Sequence, residues 1–188
     1  MEISSGMIVA GFVTAALLFY LIRTYNRLVA LRNRVRNAWS DIDVQLTRRH
    51  DLVPGLVETV KGYLAHERGT LENVTEARAQ AMAAGGNLAA RVPAEMMLAG
   101  ALRQMAVTAE NYPELQASKN MQLLQEQMSS TENRIAFARQ FYNESAMRLN
   151  TAIATFPRNL IAATMGLKRA QLFVADEGDR EVPKLVIE

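Results

Sequence analysis

The chain of 188 residues contains no cysteine. Disulfides, thiol catalysis, thiolate metal sites and acylation at cysteine are thereby excluded. Aromatic residues make up only 6%, and Trp39 is the single tryptophan. No stretch alternates cleanly at period two, so strands are not expected. A glycine-rich phosphate loop, a nucleophile elbow and a paired-carboxylate motif are all missing. A non-enzymatic protein is expected, with no catalytic residue, cofactor or small-molecule substrate. Histidine occurs only at His50 and His66, sixteen positions apart. On one straight helix they stand about 160° apart and cannot share a metal. No metal site is expected, and each histidine reads as a surface or structural residue.

Charge is nearly balanced overall at +2 but unevenly placed. Residues 23–49 carry seven arginines against two aspartates, whereas residues 175–188 carry five acids against two bases. A nucleic-acid binder shows a more basic whole domain with groove-reading or aromatic elements, so no nucleic-acid partner is expected. The basic cluster of Arg23, Arg27, Arg32, Arg34 and Arg36 directly follows an apolar run, where anionic lipid headgroups are the economical partner. As a plainer alternative it is a solvated face and a topology signal.

What the chain does contain is helix formers: Ala, Leu, Met, Gln, Glu and Arg abound. An all-α fold follows. Ten methionines, among them Met97, Met121 and Met128, read as core filler more readily than as an adaptable surface.

Residues 7–22 are uncharged. A spanning helix needs about 20 apolar residues, with a lower limit near 17. The run reaches that range when the small residues before it are included. A signal peptide is the rival reading, but the segment ahead has no Lys or Arg and the run ends in bulky FYLIRTY. An uncleaved transmembrane anchor is favoured, with Phe19, Tyr20 and Tyr25 near the interface. All the nearby arginines lie after the span, which predicts the N-terminus outside and the bundle in the cytoplasm. A bundle on the periplasmic side is the alternative.

Beyond the anchor, Leu28, Leu31, Val35, Ala38 and Ile42 alternate by three and four, a coiled-coil seam. The seam drifts through Trp39, Leu46 and Val53 and resumes at Val57, Val60, Leu64, Leu71 and Val74. This predicts a first helix running without strong break toward Ala83, kinked or broken at Pro54. Gly85-Gly86 ends it, and Pro93 starts a second helix that runs to about residue 111 with Met97, Ala101, Met105 and Thr108 on one side. Tyr112-Pro113 stops that helix, and an extended linker follows. A third helix is predicted over 118–156, its seam Met121, Leu124, Met128, Thr131, Ile135, Ala138, Tyr142, Ser145, Leu149, Ala152 and Phe156. A short helix near 159–165 closes at Gly166. The predicted organisation is a short segment 1–6, a transmembrane helix 7–22 that continues into a long-helix, up-and-down antiparallel bundle 23–166, and an extended acidic tail 167–188.

Arg49 falls close to a core position, and a buried arginine needs a carboxylate. Glu132, Arg139 and Glu144 are the candidates for a network with Arg48, Arg49 and Asp51. Trp39 reads as a packing anchor, with a partner contact as the alternative.

The stretches YNRLVALRNRVRNAWSDIDVQLTRRHDLVPGLVETVKGY, HERGTLENVTEARAQA, ENYPELQASKNMQLLQEQMSSTENRIAFARQFYNESAMRLNTAIATFP and FPRNLIAATMGLKRAQLF resemble the LemA family. The likeness covers nearly everything after Arg23. The combination AW-x-x-IDVQL-x-RR-x-DL-x-P, TENRIA-x-AR-x-x-YN and FP-x-N is specific. Departures are small: Leu149 stands where the family often has a second aromatic, and Gln116 where Lys is common. The matched motifs mark Tyr25, Asn26, Trp39, Asp43, Arg48, Arg49, Asp51, Pro54, Glu132, Arg139, Tyr142 and Asn143 as structural or interface positions. The resemblance implies a single-span bacterial membrane protein with an antiparallel bundle and no enzyme activity. It also brings relatives implicated in building magnetosome membranes, and members encoded near membrane proteases. The expected partners are the lipid bilayer, further copies of the chain in a homo-oligomer, and, as the alternative, a membrane protease or other membrane protein.

Overall fold

The computed structural model describes residues 5–64, 67–86 and 88–173. Among them there are six helices and no strand: α1 Ser5–Lys61, α2 Arg68–Ala83, α3 Leu88–Ala109, α4 Pro113–Ala117, α5 Lys119–Ala154 and α6 Arg158–Thr164. The fold is all-α.

Four boundaries depart from the pattern reading. The first helix does not run on to Ala83; it ends at Lys61, and α2 begins afresh at Arg68. The Val60 carbonyl accepts from both Tyr63 and Leu64 (3.0 and 2.9 Å), closing the end around Gly62. The second predicted helix starts earlier than Pro93. Leu88-Ala-Ala-Arg are strong helix formers, and α3 begins there with Pro93 inside it. The linker is not wholly extended: Pro113 starts the five-residue α4. Finally, α5 stops at Ala154, leaving Phe156 out of the seam and exposed.

Pro54 does not break α1. A proline has no N–H, so the carbonyl four residues before it, that of His50, loses its helical donor. Arg78 from α2 replaces it, Nε donating to the His50 oxygen at 2.7 Å. The backbone polar group is thus satisfied from a neighbouring helix rather than by breaking the rod.

The chain divides into two units. The unit Asp41–Ala138 has a core built from Val53, Leu56, Val60 and Leu64 of α1 and its end, Val74, Ala77 and Ala81 of α2, Leu98, Leu102 and Met105 of α3, and Leu115 and Met121 beyond. Burying each such Leu, Val or Met contributes about 1.5–3 kcal/mol. The helices α2 and α3 pack on each other as a hairpin, turned at Gly85, whose φ of +61° suits a residue without Cβ. Within this unit α1 and α5 run antiparallel: Arg49 meets Glu132, and Gly55 faces Leu124.

The second unit comprises Met1–Ser40 and Arg139–Glu188. Here Leu28 packs with Ala152 and Ala162, and Trp39 meets Tyr142, again an antiparallel pairing of α1 with α5. After α6 the chain turns at Gly166 (φ +63°) and runs extended to Phe173. Two asparagines of α5 hold that strap as a neighbouring strand would. Asn150 exchanges both amide hydrogen bonds with Ala170 (2.9 and 2.8 Å), and Asn143 does the same with Phe173 (3.0 and 2.9 Å). The acidic residues from 175 onward lie outside the described residues, as does His66.

The seam of α5 is buried or half-buried from Met121 to Ala152. On α3 the buried track is Glu95, Leu98, Leu102, Met105 and Ala109, one step off the predicted side. Met97 is accordingly exposed rather than core filler.

Candidate functional site

The most concentrated chemistry in the 41–138 unit is a buried charge cluster. The α1 residues Arg49 and His50 face Glu95 of α3, and Glu132 of α5 closes the far side. Arg49 and Glu95 are each only 1% exposed. The Arg49 guanidinium forks: Nη1 donates to Glu132 Oε1 at 3.0 Å, while Nη2 pairs with Glu95 Oε2 and lies 3.4 Å from the Glu95 carbonyl oxygen. His50 Nε2 donates to Glu95 Oε1 at 3.0 Å. One turn before Glu95, Arg91 stands 4.0 Å from the same oxygen and pairs with Asp43 of α1.

Two forces act on the Glu95 carboxyl. Burial pushes it up, but the hydrogen bond from His50 and the charge and hydrogen bond of Arg49, with the His50 charge added, together outweigh burial and hold it below the ordinary glutamate value. Glu95 is therefore an anion whose two oxygens are both engaged. The arrangement ties α1, α3 and α5 to one another through charge-assisted bonds in a low-dielectric setting.

Sequence reasoning anticipated Arg49 and Glu132 but missed Glu95 and Arg91. Of the other expected partners, Arg139 lies with its guanidinium over the Phe173 ring, 5.6 Å from the centroid, and Glu144 pairs with Arg148 at 2.5 Å. Arg48 and Asp51 are exposed on α1.

In the other unit, Trp39, Tyr142 and Phe173 form a three-ring cluster. Trp39 stacks on Phe173 at 5.7 Å and meets Tyr142 edge-on at 5.6 Å; Tyr142 meets Phe173 edge-on at 5.4 Å. The Tyr142 hydroxyl donates to the Gln171 carbonyl (2.9 Å), and burial pushes its phenol up. Trp39 is thus engaged inside its own unit by the strap and α5. Asn143 serves the same strap, as described above.

Tyr25 and Asn26 are exposed, as are Arg23, Arg27, Arg32, Arg34 and Arg36. Arg34 lies over Phe141, 5.1 Å from its ring centroid. The first part of α1 is long and apolar enough to cross a membrane, and none of it is buried within the protein. Its Thr14 hydroxyl donates back to the Ala10 carbonyl at 2.9 Å, leaving no free hydroxyl hydrogen on that face. No group of three or more His, Asp or Glu poised for a metal occurs among the described residues. An open groove of about 800 Å³ runs between the end of α1 and α2, floored by Val57, Leu64 and Leu71 and rimmed by Glu58, Lys61, Glu72 and Glu76.

The sequence profile of the LemA family matches residues 38–186. The chain belongs to the LemA family. That match includes the charge cluster, the three-ring cluster and both asparagines that hold the strap; the apolar run precedes it. Two proteins of Paramagnetospirillum magneticum, magnetosome proteins MamQ 1 and MamQ 2, are each 24% identical to this chain, over 89% of it and 71% of their own length. Protein LemA of Metamycoplasma hominis is 26% identical over 86% of this chain and 74% of its own.

Proposed function

We propose that this LemA family protein is a membrane-anchored, non-enzymatic helical scaffold that self-associates and organises or remodels the bacterial inner membrane. The observation that carries the reading is the run 7–22: apolar, uncharged, wholly exposed, and continuous with the helix that bears the charge cluster. Apolar surface of that extent on a rod is what a bilayer covers. The arginines that follow favour the N-terminus outside and the bundle in the cytoplasm; a periplasmic bundle is the alternative. Self-association is supported by apolar residues left exposed on the bundle, Val44 and Phe137 among them. The partners are the bilayer and other copies of the chain; no nucleic acid, cofactor or small substrate is required.

The second reading is an accessory subunit that recruits or regulates a membrane protease or other membrane protein. The open groove between α1 and α2 favours it, because a partner segment could lie on its apolar floor. Light scattering of the detergent-solubilised chain separates the two. A large particle of defined size supports the scaffold; a monomer refutes it and leaves the adaptor.

A further inference from the structure

The apolar run is short. Residues 7–22 rise about 24 Å at 1.5 Å per residue, against a hydrocarbon core of about 30 Å. The small residues ahead of the run add length but little apolar surface, so about one helical turn of large apolar side chains is missing. The turn that follows on α1 contains Arg23 and Tyr25, and α6 packs beside it: Ile161 and Ala162 sit in the cluster around Leu28.

Between α1 and α6 lies an open cleft of about 490 Å³, lined by Leu21, Ile22, Tyr25, Leu160, Ile161 and Thr164. The Thr164 hydroxyl is already spent on the Ile161 carbonyl at 2.8 Å, so the lining offers almost nothing polar. Leu21, Tyr25 and Leu28 follow one another at helical spacing on a single face. The cleft therefore opens directly onto the exposed apolar face of the run, through Leu17 and Leu21. Beside it Phe156 and Leu160 point outward, 75% and 60% exposed, with Arg158 between them.

We propose that the Phe156 turn and α6 are embedded in the same leaflet that the apolar run crosses, and that lipid acyl chains fill the cleft between α6 and α1. This rests on the membrane-anchor reading. Phe156 and Leu160 supply the missing turn of apolar surface at the level of Tyr25, a depth where aromatic rings are favoured. Arg23 and Arg158 reach outward to the headgroups, as long cationic side chains do at that depth. The end of α5 is thereby held at the bilayer a second time, without a second span.

The absence of cysteine makes the test direct. Single variants Leu17→Cys, Phe156→Cys, Leu160→Cys and Gln140→Cys carry an NBD fluorophore in the full chain, reconstituted in vesicles of phosphatidylcholine and phosphatidylglycerol. Quenchers are iodide in water and lipids bearing a nitroxide near the top or the middle of the acyl chain. All four positions are exposed, so labelling leaves the helical circular dichroism unchanged. The expected result is loss of emission at Phe156 and Leu160 to the shallow nitroxide and at Leu17 to the deeper one, with iodide quenching only Gln140. Iodide quenching at Phe156 and Leu160, with Leu17 still quenched by lipid, overturns the proposal and leaves the anchor intact. Shielding of Phe156 and Leu160 from both quenchers places protein over the cleft and also overturns it. Iodide quenching at Leu17 brings down the anchor reading and this proposal together.

Discussion

Replacing Arg49 with leucine removes the cation from a carboxylate that water cannot reach. Glu95 is 1% exposed and keeps only His50 and, at 4.0 Å, Arg91. Breaking a buried pair from one side costs about 3–5 kcal/mol, because a charge is left uncompensated. The two remaining partners put Arg49→Leu toward the lower end. The lost contact to Glu132 adds little, since that side chain is 44% exposed and half-solvated pairs contribute about 0–1 kcal/mol. In a chain of this size 1 kcal/mol shifts Tm by about 2–4 °C, so the expected drop is about 6–12 °C. Circular-dichroism melts in detergent measure it against Arg48→Leu, an exposed neighbour whose change stays within about 0.5 kcal/mol. Removing both charges with apolar residues of similar size, Arg49→Met with Glu95→Leu, recovers much of the loss, because two well-packed apolar groups need no pairing. If Arg49→Leu melts together with Arg48→Leu, the cluster contributes nothing to stability and the reasoning fails.

The Glu95 carboxyl is held below its ordinary value in the folded protein, so its contribution is full above the unfolded value of about 4.3 and is lost as pH falls through the folded value. Glu95→Gln should therefore flatten the acid side of the stability profile below about pH 4.3, read from chemical denaturation at a series of pH values. Arg78→Ala leaves the His50 carbonyl without a donor and costs about 1–3 kcal/mol; adding Pro54→Ala restores the helical N–H, so the double variant should melt above Arg78→Ala alone. Asn143→Ala with Asn150→Ala frees the strap, and hydrogen exchange at the Ala170 and Phe173 amides should lose protection while the amides of α5 keep theirs.

The parts of the fold that were legible in the sequence are those where one periodicity persists. The α5 seam is a run of threes and fours over five heptads, and burial follows it residue by residue to Ala152. The break between α1 and α2 was hidden because Val60, Leu64, Leu71 and Val74 continue the track across it, and all four are buried or half-buried. Gly62, just past the end of α1, and Gly69, in the first turn of α2, are the local signs. Glu95 is hidden because the spacing of Met97, Ala101, Met105 and Thr108 marks the wrong side of α3. The track Ala109, Met105, Leu102, Leu98, stepped back by three, lands on Glu95, and an acid on a core track calls for a basic partner. The pairing of Pro54 with Arg78 could not be read, since nothing in local pattern says which distant side chain meets a freed carbonyl. The asparagine-held strap was invisible for the same reason: Asn143 and Asn150 act on backbone atoms 30 and 20 residues away.

The central claim is that the apolar start of α1 fixes the protein in a bilayer. Alkaline carbonate extraction of bacterial membranes containing the full chain tests it most directly. The protein should remain in the pelleted membranes, while a chain beginning at Arg23 should lose that retention. Release of the full chain into the soluble fraction would contradict the account.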